Sequence, residues 1–271
     1  MSLSKITEND YERMFRDFDG YLVDEYNEQR GNLDKIDGID CQKCRNKGWI
    51  RYKKGTYITD RRCDCMKLRK NQKEIVETGL GGYLTKDFDD YIVDEEWQRK
   101  VKEIAQDYTN KHLKDNVWFM ALGQSGSGKT LICSIISNYL LLIAKREVKY
   151  VIWTDFIGQL KREVMGDKTS VVSDKLSSIK KVDVLFLDEV LKKYNETDLK
   201  YLMEIINYRY SNDLKTIITS ENLVMTLLEI DQGTFGRALE KSQGYVVSIA
   251  KDRNKNYRLK NLVINGEVKS I

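Results

Sequence analysis

The clearest chemistry in this chain is carried by eight consecutive residues, 123–130, which read GQSGSGKT. They match the pattern G-x-x-x-x-G-K-[ST] at every fixed position, and they follow a predicted strand and open a predicted helix, as this motif requires. Glycines allow backbone N–H groups to turn toward a phosphate, and the N-terminus of the helix adds to the attraction. The pattern predicts a nucleoside triphosphate site, and the alternative is a glycine-rich turn that binds nothing.

The residues of this loop have separate predicted roles. Lys129 would reach the β- and γ-phosphates, and Thr130 would offer its hydroxyl to Mg²⁺. The remaining positions are predicted to surround the phosphates of ATP or ADP: Gly123, Gln124, Ser125, Gly126, Ser127 and Gly128.

A second motif, the acidic segment VLFLDEV, supports hydrolysis of the nucleotide. Asp188 ends an apolar strand, which is the expected place for the carboxylate that holds the Mg²⁺ shell. Glu189 follows it directly and is predicted to polarise the attacking water. The alternative for both is an ordinary acidic strand end. The pair argues against a simple nucleotide kinase, which would also need an arginine-rich lid.

Two further positions are predicted to complete the catalytic site. The strand TIITSEN ends in polar residues from 219 to 222 that could touch the γ-phosphate or the water, and Ser220 is favoured among them. A simple strand-end turn is the alternative. Arg237, near the start of a late helix, could project into a neighbouring subunit's nucleotide site and stabilise charge during cleavage.

Four of the five cysteines lie within 25 residues and follow the spacing C-x₂-C-x₁₈-C-x-C. Two close pairs separated by a hairpin-sized span suit a tetrahedral zinc site with four thiolates: Cys41, Cys44, Cys63 and Cys65. Only one residue separates the second pair, which is less regular. Disulfides are the alternative, which a cytosolic chain disfavours. With four protein ligands the metal would stabilise the fold and perform no chemistry.

Composition describes a globular protein of 271 residues with a net charge of +4. No apolar run approaches the roughly 20 residues that cross a bilayer, and the N-terminus is too polar for a secretory signal. We therefore expect a cytoplasmic protein without a membrane partner. Residues 1–40 hold 11 acidic and 5 basic side chains, whereas residues 41–80 hold 12 basic and 4 acidic. Such a basic segment can face nucleic acid, or it can be a solvated surface.

The elements that must position these residues change in type along the chain. A helix over 3–30, a hairpin in GWIRYKKGTYITD and a basic helix over 66–78 are predicted first. Strands then alternate with helices, which predicts a doubly wound α/β sheet. The predicted strands are residues 117–122, 149–155, 182–188 and 215–221, followed by YVVSIA and NYRLKNLVI.

In this order, the motifs resemble the DnaC/DnaI family of replicative helicase loaders, especially the phage type with a zinc-binding N-terminal region. The resemblance covers nearly the whole chain. Its most specific segments are CQKC, CDCMKLRK, FDDYIVDEEWQ, GQSGSGKT, LFLDE, TIITSEN, GRALEKS and NYRLKN.

The resemblance implies an AAA+ ATPase core with a parallel five-stranded sheet of order 5-1-4-3-2 and no C-terminal helical lid. It implies an N-terminal domain, residues 1–78, that grips a DnaB-type hexameric helicase, and an ATPase domain, residues 79–271. Arg237 matches the arginine finger, which implies self-association in the ATP state. At the tip of the strand TIITSEN, Glu221 stands where relatives of this family often carry asparagine. By the same resemblance, Tyr91 and Ile92 fall where the family's adenine pocket begins.

The implied activity is ATP-dependent placement of the helicase on single-stranded DNA. Six basic residues lie where DNA-facing helices occur in this family: Lys161, Arg162, Lys168, Lys175, Lys180 and Lys181. Two alternatives stay open. One is a transposition helper ATPase of the IstB type, and the other is an ATP-binding adaptor that inhibits the helicase with little turnover.

Overall fold

The structure is a computed structural model that describes residues 8–75, 81–83, 86–259, 262–264 and 267–269. The chain divides into two compact units, Met1–Lys70 and Asn71–Ile271. The domain boundary predicted between residues 78 and 79 lies outside the described residues.

The N-terminal unit combines helices with one antiparallel hairpin. Its elements in chain order are α1 (Glu8–Glu28), α2 (Leu33–Asp37), β1 (Trp49–Lys54), β2 (Tyr57–Arg62) and the start of α3 (Cys65–Ile75). Lys54 pairs with Tyr57, so a two-residue turn joins the strands. Gly55 in this turn has a φ of +61°, a conformation that glycine adopts without steric cost. The predicted hairpin is confirmed.

The second unit contains one parallel sheet of five strands. They are β3 (Phe119–Gly123), β4 (Val148–Ile152), β5 (Val184–Val190), β6 (Lys215–Ser220) and β7 (Val246–Ile249). Their spatial order is β4-β5-β6-β3-β7. Numbered within the sheet, this is the order 5-1-4-3-2, as predicted for an AAA+ core. Every residue of β3 and of β6 is buried, because helices cover both faces of a parallel sheet.

Seven α-helices within the described part of the second unit flank these strands or connect them. They are α4 (Glu96–Lys111), α5 (Lys129–Asn138), α6 (Trp153–Met165), α7 (Thr169–Lys181), α8 (Glu196–Ser211), α9 (Val224–Ile230) and α10 (Gln232–Ser242). The predicted strand over 149–155 is too long, because β4 ends at Ile152 and Trp153 begins α6. Trp153 belongs to the apolar core on the α6, α7 and α8 side of the sheet.

The chain after β7 differs in part from its prediction. Residues 257–259 form a turn, and the strand predicted there begins only at β8 (Leu262–Ile264), which pairs antiparallel with β9 (Glu267–Lys269). No α-helix follows β7 among the described residues. Within that same part of the chain, every helix is too short or too polar to cross a membrane.

Candidate nucleotide site and cysteine cluster

The phosphate-binding loop joins the end of β3 to the start of α5. Gly123, Gly126 and Gly128 have φ values of +104°, +71° and +87°, which side chains rarely allow. A Cβ atom at Gly128 would lie 3.2 Å from the ring of Tyr91. The glycines of the motif are therefore required by backbone conformation and by close packing.

Lys129 is folded onto the loop. Its Nζ donates to the carbonyls of Gly123 at 2.9 Å and Gln124 at 2.6 Å, and only 9% of the residue is exposed. Burial lowers the pKa of Lys129, whereas the carboxylates of Glu221 and Asp188 oppose that change. A cation buried beside a nest of backbone N–H groups is suited to an anionic ligand.

Asp188 is the centre of a hydroxyl cluster. The Thr130 hydroxyl lies 3.1 and 3.2 Å from its two carboxylate oxygens, which brings the two predicted Mg²⁺ ligands together. The Tyr150 hydroxyl donates to Oδ2 of Asp188 at 2.7 Å, and the Thr219 hydroxyl donates to Oδ1. Asp188 is 3% exposed. Tyr150 and Thr219 come from the strands on either side of β5, and sequence reasoning assigned no role to Tyr150 and preferred Ser220 over Thr219.

Glu189 adopts an unusual backbone conformation. Its φ is +56°, and the pairing of β5 with β6 shifts register between Leu187 and Val190. The backbone N–H of Glu189 donates to Oγ1 of Thr219 at 2.9 Å. A non-glycine residue in this region costs on the order of 1 kcal/mol and occurs often at active sites. The Glu189 carboxylate lies 3.1 Å from Nζ of Lys192.

The tip of β6 carries two side chains with different surroundings. Ser220 is fully buried, donates to the Val190 carbonyl at 2.6 Å and accepts from the Asn222 N–H at 3.2 Å. Burial raises the pKa of Glu221, but a hydrogen bond with Ser125 and the charge of Lys192 outweigh it and lower that pKa. Glu221 is thus the tip residue that touches the phosphate-binding loop, while Ser220 braces the bulged strand.

A pocket of about 290 Å³ adjoins the loop. Tyr91 and Ile92, the residues assigned to an adenine pocket, are among those that line it. The Tyr91 hydroxyl is buried and has no hydrogen-bond partner among the described residues, and burial raises the pKa of Tyr91. Tyr257, which is distant in sequence from Tyr91 and Ile92, also lines the pocket. Its backbone N–H donates to Gly126 at 2.9 Å and its hydroxyl to the Ile92 carbonyl at 2.7 Å.

Arg237 lies away from this pocket, exposed on α10. Its guanidinium donates to Oδ1 of Asn207 at 2.8 Å and lies 5.8 Å from the ring centroid of Tyr210. The structure therefore does not bring Arg237 together with the other predicted catalytic residues of the same chain.

The six basic residues of α6, α7 and the turn between them fall into two groups. Lys161 pairs with Asp198 at 2.6 Å, Lys175 with Glu163 at 2.5 Å and Lys180 with Glu204 at 2.5 Å. The other three have no ion pair among the described residues: Arg162, Lys168 and Lys181.

The four clustered cysteines of the N-terminal unit converge on one point. All four Sγ atoms lie within 4.8 Å of one another, with Cys41 and Cys63 at 3.8 Å and Cys44 and Cys65 at 3.5 Å. Tetrahedral zinc with Zn–S bonds of about 2.3 Å places its sulfurs about 3.8 Å apart, whereas a disulfide needs about 2.05 Å. The donor set fits a structural zinc ion, and all four cysteines are free of disulfides.

Hydrogen bonds around the thiols complete this site. The Gly48 N–H donates to Sγ of Cys44 at 3.3 Å, and the buried Arg69 side chain bonds the Cys65 thiol. Burial raises the pKa of Cys44, but hydrogen bonds from Gly48 and the other thiols outweigh it and lower the pKa to about 7. Burial raises the pKa of Cys63 and of Cys65. The bonds from Gly48 to Cys44 and from Arg69 to Cys65 act in the opposite direction, toward the thiolate form that metals require.

The hydroxyl of Thr219 offers a direct test of how Asp188 is held. Thr219→Val removes the hydroxyl that bridges Asp188 and the Glu189 backbone, and we expect Mg²⁺-dependent ATP hydrolysis to fall by roughly 10- to 100-fold. Titration of ATPase activity with Mg²⁺ measures the change. Thr219→Ser, which keeps the hydroxyl, should restore activity. Equal loss in both variants would show that packing of the methyl group matters instead.

Comparison with known proteins agrees with this geometry. The family model described as IstB-like ATP binding protein matches residues 68–237, which is more than half of the chain. The chain is similar to the Bacillus subtilis (strain 168) protein YqaM, with 26% identity over 76% of this chain and 68% of that protein. It is similar to the phage-like element PBSX protein XkdC of the same organism, with 26% identity over 78% and 82% of the two chains.

A third similarity is to a replicative helicase loader. The chain is 28% identical to the replicative helicase loader DnaC of Buchnera aphidicola subsp. Acyrthosiphon pisum, over 52% of this chain. The match spans 56% of that loader's length. From the phosphate-binding loop, the sheet order and the match over residues 68–237, the chain belongs to the family of IstB-like ATP-binding proteins.

Proposed function

We propose that this protein is an ATPase that loads a DnaB-type hexameric helicase onto single-stranded DNA. The observation that carries the proposal is the convergence of Lys129, Thr130, Asp188 and Glu189 at one edge of the sheet, within an IstB/DnaC-like domain. The similarity to a replicative helicase loader supports a helicase as the partner. ATP binding and hydrolysis would switch association with the helicase and with DNA.

In the proposed mechanism, the residues around the loop divide the work of hydrolysis. Lys129 would turn from the loop carbonyls to the β- and γ-phosphates, and Thr130 and Asp188 would hold Mg²⁺, which would supply positive charge against the phosphates. A carboxylate oxygen of Glu189 accepts a proton from the attacking water, whose oxygen forms the new bond to the γ-phosphorus as the bond to the β-phosphate oxygen breaks. Ser220, whose hydroxyl is bonded to the Val190 carbonyl, would act on the γ-phosphate or the water only by positioning the tip of β6, where Glu221 lies beside the loop.

The remaining roles concern partners. Arg237, which is exposed on α10, would enter the nucleotide site of a neighbouring subunit and stabilise charge there. The unpaired cations Arg162, Lys168 and Lys181 would contact the DNA backbone, so that affinity falls with added salt. The N-terminal domain, residues 1–78, would bind the helicase, and its four cysteines would hold the zinc that stabilises that domain.

The test is a pull-down of a DnaB-type helicase by the tagged full-length protein. We expect the helicase to be retained with ATP and released with ADP, because differential affinity of the two nucleotide states drives the switch. The control is Lys129→Ala, which should show no difference between the two nucleotides. Retention of a transposase in place of the helicase would favour the IstB-type transposition helper.

A further inference from the structure

The hairpin of the N-terminal unit has one face that the rest of the unit leaves open. Residues directly paired across two strands share a face. The register pairs Tyr52 with Thr59, Lys54 with Tyr57 and Ile50 with Arg61. Ile50 packs against the cysteine cluster. We call the remaining exposed residues of this side the tyrosine face: Tyr52, Lys54, Tyr57 and Arg61.

On the opposite side of the hairpin, two of the three cations are neutralised within the unit, and the third, Arg62, lies 5.4 Å from the ring centroid of Trp49. Arg51 pairs with Asp60 at 2.9 Å, and Lys53 pairs with Asp19 of α1 at 2.9 Å. The Arg51 guanidinium also lies 4.1 Å from the ring centroid of Tyr26. On the tyrosine face, Lys54 and Arg61 form no ion pair among the described residues. This face therefore presents positive charge that the unit itself does not neutralise.

The aromatic rings of this face are arranged beside those charges. Tyr57 is 55% exposed and Tyr52 is 37% exposed. Diagonal neighbours on one face of an antiparallel pair lie about 7–8 Å apart, and Tyr52 has Tyr57 on one diagonal and Arg61 on the other. The Arg61 guanidinium lies 5.8 Å from the ring centroid of Tyr52. The face thus carries a row of planar groups flanked by cations.

We propose that the tyrosine face binds single-stranded nucleic acid, with bases stacked on Tyr52 and Tyr57 and phosphates contacted by Lys54 and Arg61. Exposed aromatic rings beside unpaired cations are the combination that single-strand binding surfaces use. Protein interfaces are enriched in tyrosine and arginine but depleted in lysine, so a protein partner accounts for the two rings and Arg61 but not for Lys54. A duplex keeps its base faces stacked inside, so it cannot use the rings. The proposal does not depend on the nucleotide site or on helicase loading.

The experiment uses the full-length protein with zinc and without nucleotide. Fluorescence anisotropy measures binding of labelled 15-residue oligo(dT), oligo(U) and a duplex of equal length. Because each stacked base contributes measurably, Tyr52→Ala combined with Tyr57→Ala should weaken single-strand binding by about 30-fold or more. Tyr52→Phe combined with Tyr57→Phe should keep wild-type affinity, since the rings remain. Tyr21→Ala is the matched control, because Tyr21 is 61% exposed on α1 of the same unit.

Two more measurements locate the contact and its charge. Lys54→Gln combined with Arg61→Gln should reduce the slope of log affinity against log salt by about 1.4. Photo-crosslinking of an iodouracil-containing oligonucleotide should label the peptide of residues 49–62. Stronger binding of oligo(dT) or of oligo(U) would identify the natural ligand as DNA or RNA. Zinc content, measured for every variant, confirms that the unit is folded.

Three results would overturn the proposal. The first is unchanged single-strand affinity in the alanine pair, with crosslinks only outside residues 49–62. The second is equally tight binding of the duplex, which would exclude stacking as the basis. The third is loss of helicase binding in the alanine pair with oligonucleotide binding intact, which would make this face a protein-docking surface. ATP-dependent helicase retention by the alanine pair is measured separately, so failure here is distinguishable from failure of the loader function.

Discussion

Replacing Glu189 by glutamine is expected to slow ATP hydrolysis by a factor of about 10² to 10⁴ while ATP binding stays near the wild-type level. The physical reason is that glutamine fills the same space but cannot accept the proton of the attacking water. The left-handed backbone at Glu189, with a φ of +56°, sets the direction of this side chain whichever residue it carries. Binding and hydrolysis should therefore separate cleanly in this variant.

Steady-state phosphate release and equilibrium binding of a fluorescent ATP analogue measure these two quantities. Glu229→Gln is the matched control, because Glu229 is exposed on α9 and forms no ion pair among the described residues. Hydrolysis at the wild-type rate in Glu189→Gln would show that another group polarises the water. Suppose that Glu189→Gln stops hydrolysis, yet the helicase still dissociates after ATP is added as fast as from the wild-type protein. Hydrolysis is then not the switch, and the protein is better described as an ATP-binding adaptor that inhibits the helicase.

Removal of zinc is expected to unfold the N-terminal unit and to leave ATP binding by the second unit intact. The hydrophobic cluster described in the N-terminal unit consists of the four cysteines with only Ile50 and Met66 packed against them. A metal at the centre of this cluster would stabilise the unit, because a single core below roughly 70–80 residues rarely supplies much stability alone. Structural zinc contributes on the order of 10 kcal/mol in zinc-finger peptides at neutral pH, which exceeds the stability of most small domains.

The measurement combines metal analysis with hydrogen exchange before and after treatment with a strong chelator. We expect close to one zinc per chain, and fast exchange in residues 8–70 once the metal is removed. Cys63→Ser should reproduce that loss, whereas Cys133→Ala should retain the metal because Cys133 is buried in α5. A protein that contains no zinc, or whose N-terminal unit keeps its slow exchange after chelation, would contradict the assignment.

The sequence predicted the parts of the fold that depend on local pattern. The hairpin followed from alternation, the parallel sheet from apolar strands between helices, and the sheet order from the family resemblance. The predicted bounds of elements were less accurate: the strand predicted over 149–155 ends at Ile152, and Trp153 begins a helix. A tryptophan can continue an apolar strand or begin a helix that packs on the same core, and only its tertiary neighbours decide between them.

The sequence by itself determined the chemistry that consecutive residues carry: the phosphate-binding loop, the pair Asp188 and Glu189, and the four thiols. Each of these depends on residue type and short spacing, because the backbone conformation between close neighbours is limited. The tertiary structure alone decided which hydroxyls hold Asp188, that Glu221 contacts the loop while Ser220 is buried, and that Tyr257 meets Ile92 from 165 positions away. Those contacts follow from strand register, a bulge and the path of the chain after β7, which no local pattern encodes.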